Sequence, residues 1–174
     1  MRGFIDADFL SPRATPVPID RRRFLQTVAI LGAVSAYATI IVGGTVRGIP
    51  GAGLSCSDWP LCNGSIVPNL ADSRILIEYV HRLVAALTGL FMLSTLVAAL
   101  LWFRAESRII TLSVMSFAIL VTQVAVGAVT IASGNDWVVV TIHLALGTAT
   151  LASALMVALV SLWPASTLEG PKLG

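Results

Sequence analysis

Charge is scarce in this sequence: 11% of its residues are Asp, Glu, Lys or Arg, whereas 56% are hydrophobic and mean hydropathy is +0.89. A soluble domain of 174 residues cannot hide that much apolar surface from water, so a soluble fold is excluded. The charges nearly cancel, leaving a formal net +2 and no basic patch interleaved with aromatic residues. Nucleic acid is therefore not an expected partner. Cysteine is limited to Cys56 and Cys62, too few to supply a four-ligand structural zinc site by themselves. Histidine is limited to His81 and His143. Apolar/polar alternation is missing as well, which removes a membrane barrel.

What the sequence has is four long apolar runs: Phe24–Val46, Ile75–Phe103, Ile109–Ala132 and Trp137–Trp163. A hydrocarbon core of about 30 Å needs about 20 helical residues to span it, and each run is long enough. The expected fold is an all-α integral membrane protein, a bundle of four transmembrane helices over residues 21–165 with a long loop at 47–74. Residues 1–20, with Pro12, Pro16 and Pro18, read as a flexible or surface-lying tail, and residues 166–174 as a C-terminal tail. Arg2, Arg13 and Arg21-Arg22-Arg23 precede the first run, Arg104 and Arg108 flank the middle turn, and Lys172 follows the last run. By the positive-inside rule both termini and the middle turn are cytoplasmic, and the 47–74 loop and the Ser133–Asp136 turn face outside. Arg22-Arg23-Phe24-Leu25 also resembles a twin-arginine export signal, with Ala36-Tyr37-Ala38 as its cleavage site. The apolar run continues past Ala38 to Val46, so an uncleaved first span is the preferred reading.

Ionisable residues inside the spans are few: Glu78, His81 and Arg82 in the second, and His143 in the fourth. Such groups are costly at membrane depth and default to function. Glu78 and Arg82 lie near the outer end, where snorkelling to water is the plainer reading. The histidines are harder to set aside. Each lies about six residues inside the outer end of its span, near 9 Å deep at 1.5 Å per residue, on helices running in the same direction. Either one alone would pass for a hydrogen-bonded core residue. Matched in depth across a bundle, they can bind one iron axially, on opposite sides of a porphyrin.

Stripes of small and polar residues add room: Gly32, Ser35, Ala36, Thr39 and Gly43 on the first span, Ser116, Gln123, Gly127 and Thr130 on the third, and Gly147 and Thr150 below His143. On the first and third spans, ordinary close helix packing explains them equally well. Arg47 and Arg74 in the loop, with Arg82, can pair with haem propionates, since arginine suits bidentate carboxylate recognition. Glu78 and His81 share a helix face at i and i+3, a spacing also used by di-iron bundles. Those sites need several more inward carboxylates, and Glu78 is the only one within a span. Both cysteines lie in the outer loop, on the oxidising side, so a Cys56–Cys62 disulfide bracing the loop is expected. A redox-active pair is the alternative, although the spacing is not C-x-x-C.

Three blocks of residues carry a resemblance: Gly43-Gly44-Thr45-Val46-Arg47, the run from Gly51 through Leu54-Ser55-Cys56-Ser57-Asp58-Trp59-Pro60-Leu61-Cys62-Asn63-Gly64, and Glu78-Tyr79-Val80-His81-Arg82. In this order around one loop they resemble haem A synthase, over roughly Gly32 to Trp163, with His143 matching the family's second bundle histidine. The resemblance implies a membrane oxidoreductase that takes haem O as substrate and yields haem A. The C8 methyl is oxidised by two successive hydroxylations with dioxygen, and loss of water from the geminal diol gives the formyl group. It also implies that His81 and His143 hold a haem iron, that Glu78 is the catalytic carboxylate near the reacting methyl, and that Cys56 and Cys62 are the family's outer pair. Glu78 would there orient water, move protons or stabilise positive charge.

Typical family members are built as two similar four-helix halves, each with a histidine pair. The half carrying the glutamate resembles this chain, and the other binds a haem b that serves electron transfer. A homo-oligomer, at least a dimer of four-helix units, is therefore expected in a prokaryotic plasma membrane, with the haem site toward the outer face. A haem O synthase and an electron donor such as a quinol are the further expected partners. Two other functions fit parts of the sequence: a non-enzymatic bis-histidine cytochrome b, which gives Glu78 no role, and a thiol oxidase using Cys56 and Cys62, which leaves the histidines idle.

Overall fold

A computed structural model describes residues 17–163. The expected C-terminal tail at 166–174 and residues 1–16 of the expected N-terminal tail lie outside the described residues. Four helices account for most of the remainder: α1 (Ile19–Gly48), α2 (Ser73–Trp102), α3 (Ser107–Ala132) and α4 (Trp137–Leu162). All four are long and apolar enough to cross a membrane. The first two have 30 residues each. At 1.5 Å per residue each is about 45 Å long, so their ends project beyond a hydrocarbon core of about 30 Å. That explains why α1 begins at Ile19, before the apolar run does: its first turns are charged and polar but still helical.

Helix ends follow from local chemistry. Asp72 caps α2 by accepting from the Arg74 backbone N–H at 2.9 Å, and Asp136 caps α4 by accepting from Val138 N–H at 2.9 Å and Val139 N–H at 3.3 Å. Hydrogen bonds from the Arg74 side chain and backbone hold the exposed Asp72 carboxyl below the usual carboxylate range. The turns at 103–106 and 133–136 are short, so α2 and α3, and α3 and α4, run antiparallel. With α1 packed on both α2 and α4, the helices close into a ring in which α2 and α4 are diagonal partners.

Two ends of this bundle differ. At the end holding the α2–α3 turn, Leu25, Ala98, Ala99, Phe103 and Ile109 form a buried cluster. Arg22 pairs with Glu106 across it and lies over the Phe103 ring at 5.3 Å, while Gln26 Nε2 donates to the Ser161 carbonyl at 3.0 Å. The arginine run that resembles an export signal is thus bound into the bundle, and α1 continues unbroken through Ala36-Tyr37-Ala38.

Buried helix residues concentrate toward this end: Leu25 to Ala36 in α1, Thr88 to Ala99 in α2, Ile109 to Leu120 in α3 and Thr150 to Ser161 in α4. They are mostly small or hydroxylated, and cross-helix bonds join Thr39 to Thr88 (3.1 Å) and Ser116 to Ser153 (3.0 Å). Lipid gives helices no hydrophobic reason to associate, so close approach and hydrogen bonds hold them. The large apolar side chains face outward instead, Val34 and Leu90 among them. In the other half of the bundle, Glu78 alone among helix residues is buried. That half carries the 49–72 loop and both histidines.

Candidate functional site

His81 projects from α2 and His143 from α4, the diagonal pair, at corresponding levels of the less buried half. Each ring rests on a glycine of a neighbouring helix. A Cβ at Gly43 of α1 would stand 2.9 Å from His81 Cε1, and one at Gly127 of α3 would stand 3.0 Å from His143 Cε1. No real side chain tolerates the first distance, and the second is hardly looser. The small-residue stripes of α1 and α3 therefore serve the histidines directly, beyond ordinary helix packing.

Polar atoms here lack partners. Nδ1 of His81, Nδ1 of His143 and Oε1 of Gln123 are all buried without a hydrogen bond. Buried polar atoms are nearly always satisfied, so three unbonded ones together set this half of the bundle apart from the packed half. Two half-buried imidazoles on diagonal helices, glycine backbone beneath each and little buried side chain around them suit a flat ligand held through iron. A haem fits these residues. Gly127→Val is expected to push the His143 ring off its seat and to lower haem affinity at least about tenfold with the helices intact, read by haem titration and far-ultraviolet circular dichroism.

Glu78 sits one turn before Arg82 on α2, and its carboxylate is fully engaged. Oε2 accepts from Ser55 Oγ–H and from the Cys56 backbone N–H, each at 2.9 Å, and Oε1 accepts from Arg82 Nη2 at 2.6 Å. Arg82 also donates to the carbonyls of Asp58 (2.8 Å), Leu61 and Cys56 (3.4 Å). Glu78 is 3% exposed, so the two residues form a buried ion pair, where snorkelling would have left both in water. Together they hold the loop down onto α2 beside His81.

The loop is braced internally too. Cys56 and Cys62 form a disulfide, and both are buried. The Asp58 carboxylate accepts from the Asn63 and Gly64 backbone N–H groups at 2.5 and 2.9 Å, and Asn63 Nδ2 donates to the Ser55 carbonyl at 2.9 Å. Asn63 and Gly64 both take positive φ, 53° and 75°, which suits their residue types in a tight reversal. Gly53 packs on Asn135 of the α3–α4 turn, where a Cβ would stand 2.8 Å from Asn135 Nδ2. The loop thus lies against both sides of the histidine-bearing end.

Of the basic residues expected near a ligand, Arg74 pairs with Asp72 at 2.8 Å and Arg82 has both Nη groups committed to the loop and Glu78. Arg47 lies exposed in the last turn of α1. Sequence reasoning placed Gln123 only within a polar stripe. Its amide Nε2 in fact lies 3.4 Å from His143 Nε2. A side-chain amide within an apolar span is a signal of its own, since each of its polar atoms needs a partner.

Comparison with known proteins bears directly on this arrangement. A family model described as cytochrome oxidase assembly protein matches residues 26–172. Proteins named haem A synthase from Bacillus mycoides (strain KBAB4) and Bacillus cereus (strains AH187 and G9842) are 30% identical to this chain over 138 residues. This chain belongs to the haem A synthase family. The aligned region is 78% of the chain but 43% of each relative, so the chain spans about half the length of the relatives it matches. Those family blocks at Gly43–Arg47, Gly51–Gly64 and Glu78–Arg82 correspond to one histidine seat, the braced loop and the ion pair that joins loop to helix.

Proposed function

We propose that this chain is the haem O-oxidising unit of a haem A synthase, converting the C8 methyl group to the formyl group of haem A. The observation that carries the reading is the pair of half-buried histidines on diagonal helices, each on a glycine seat, beside Glu78, the only carboxylate buried within the helices among the described residues. In this reading His81 and His143 would hold the haem iron, and α1 and α3 seat the two imidazoles through Gly43 and Gly127. A bound haem supplies the iron chemistry toward dioxygen. The protein fixes the ring's depth, keeps bulk water out with the 49–72 loop, and sets Glu78 next to the histidine level. With both carboxylate oxygens engaged, Glu78 acts by fixed negative charge and by holding the loop, more readily than as a free base. Arg47 is the basic side chain left to meet a propionate.

The unit works with a second four-helix bundle, a second copy of this chain, whose bound haem b passes electrons. The relatives that this chain matches contain a further stretch of similar size beyond the aligned region, which is in keeping with a second bundle. By the positive-inside rule the loop end would face outside a prokaryotic plasma membrane, with a haem O synthase and a quinol-type donor as functional partners.

A bis-histidine cytochrome b gains support from one observation: Glu78 has a structural partner set, so it no longer stands without a role in that reading. Burial of both cysteines favours bracing over thiol exchange, which weakens the thiol-oxidase reading. Expression beside a haem O synthase, followed by chromatography of extracted haems, separates these. Haem A or its hydroxymethyl precursor is the expected product. Recovery of unmodified haem alone establishes the cytochrome, and quinone-linked thiol oxidation lost in Cys56→Ser establishes the third reading.

A further inference from the structure

The two histidines are not equivalent. No side chain among the described residues hydrogen-bonds His81, whereas the Gln123 amide of α3 lies 3.4 Å from Nε2 of His143, the nitrogen that ordinarily points at a haem iron. Gly147, one turn below His143, makes room for that amide: a Cβ there would stand 3.2 Å from Gln123 Nε2. Oε1 of the amide is buried and unbonded, so Gln123 has no second tether. The contact is long for a hydrogen bond, which makes it weak and easily exchanged.

We propose that Gln123 is a positioning residue that makes His143 the dissociable axial ligand: its amide receives the imidazole when His143 leaves iron, while His81 stays bound. The inference rests on the haem reading above. It addresses a physical difficulty in that reading, because an iron with two imidazoles has no free position for a diatomic ligand. A hydrogen-bond donor waiting beside one imidazole lowers the free energy of the open state without weakening the other bond. A neutral hydrogen bond shifts such an equilibrium about two- to tenfold. Apparent affinity for an outside ligand that needs the open state scales with the population of that state.

Spectroscopy of the haem-loaded protein tests this without reference to turnover. In Gln123→Met, which keeps the shape and removes the amide, the ferrous protein is expected to bind carbon monoxide about two- to tenfold more weakly, and the ferric spectrum shifts toward the six-coordinate low-spin form. If that variant does not accumulate, Gln123→Asn, which withdraws the amide by one methylene, carries the same expectation. His143→Ala is expected to bind carbon monoxide more tightly than the unaltered protein and to retain more haem than His81→Ala. Unchanged or tighter binding in the Gln123 variants, with normal haem content, overturns the proposal and leaves the haem reading standing. Equal haem loss in the two histidine variants also overturns it. An unaltered protein that takes up no haem when made with ample supply overturns both.

Discussion

Replacing Glu78 with leucine is expected to detach the 49–72 loop and to destabilise the protein by about 3–5 kcal/mol, the cost of breaking a buried ion pair from one side. Leucine has nearly the right volume, so the loss is not one of packing. It leaves the Arg82 guanidinium, 15% exposed, without its counter-charge, and it leaves the Ser55 hydroxyl and Cys56 N–H without acceptors. Each buried donor so stranded adds a penalty of about 1–3 kcal/mol unless water reaches it, and admitting water means opening the loop. Glu78→Gln is a sharper probe. Its single carbonyl oxygen can serve Arg82 or the loop but not both, and its NH2 group faces donors. Thermal unfolding in detergent and limited proteolysis between Ile49 and Asp72 read both variants. The loop should be cut faster in Glu78→Leu than in Glu78→Gln, and in both faster than in the unaltered protein. Equal cutting in all three proteins would show that the loop is held elsewhere.

Removing both histidines is expected to abolish haem binding, with a loss of well over about a hundredfold in affinity, beyond the 10–100-fold typical when a group that only supports a metal ligand is changed. Helix content should not fall, because neither ring belongs to the packed half, where Leu25 to Ala36, Thr88 to Ala99, Ile109 to Leu120 and Thr150 to Ser161 carry the interior. Removing the imidazoles also removes two buried nitrogens that have no partner in the protein, so the haem-free double variant should unfold at the same temperature or slightly higher. Haem-to-protein ratio and circular dichroism together check both halves of this expectation. A double variant that keeps stoichiometric haem places the ligand elsewhere. One that loses its helices makes the histidines structural.

These outcomes divide along a line already visible in the residues. The four spans were legible because each apolar run is continuous and long enough for a bilayer, and no strand pattern competes with it. Their ends were less legible: α1 extends back to Ile19 and α2 begins at Ser73, since helix persists into the interface where hydropathy no longer marks it. The histidines' common depth could be counted along two helices running in one direction. What counting residues could not reach was any contact between segments distant in sequence. Glu78 and Arg82 looked like residues close enough to water to snorkel; their partners are Ser55, Cys56, Asp58 and Leu61, on a loop whose path no periodicity predicts. Gln123 looked like one more member of a polar stripe, and only packing of α3 against α4 sets its amide beside His143.

By itself the sequence determined the solvent, the number of spans, the depth of the two histidines and the family, because hydropathy and helical rise act locally along the chain. Tertiary structure decided which half of the bundle holds the buried interior, what Gly43 and Gly127 are for, and that Glu78 is committed to the loop. Those depend on how close two helices approach and which donors meet which acceptors, distances that span much of the chain and are set only once the ring of four helices has closed.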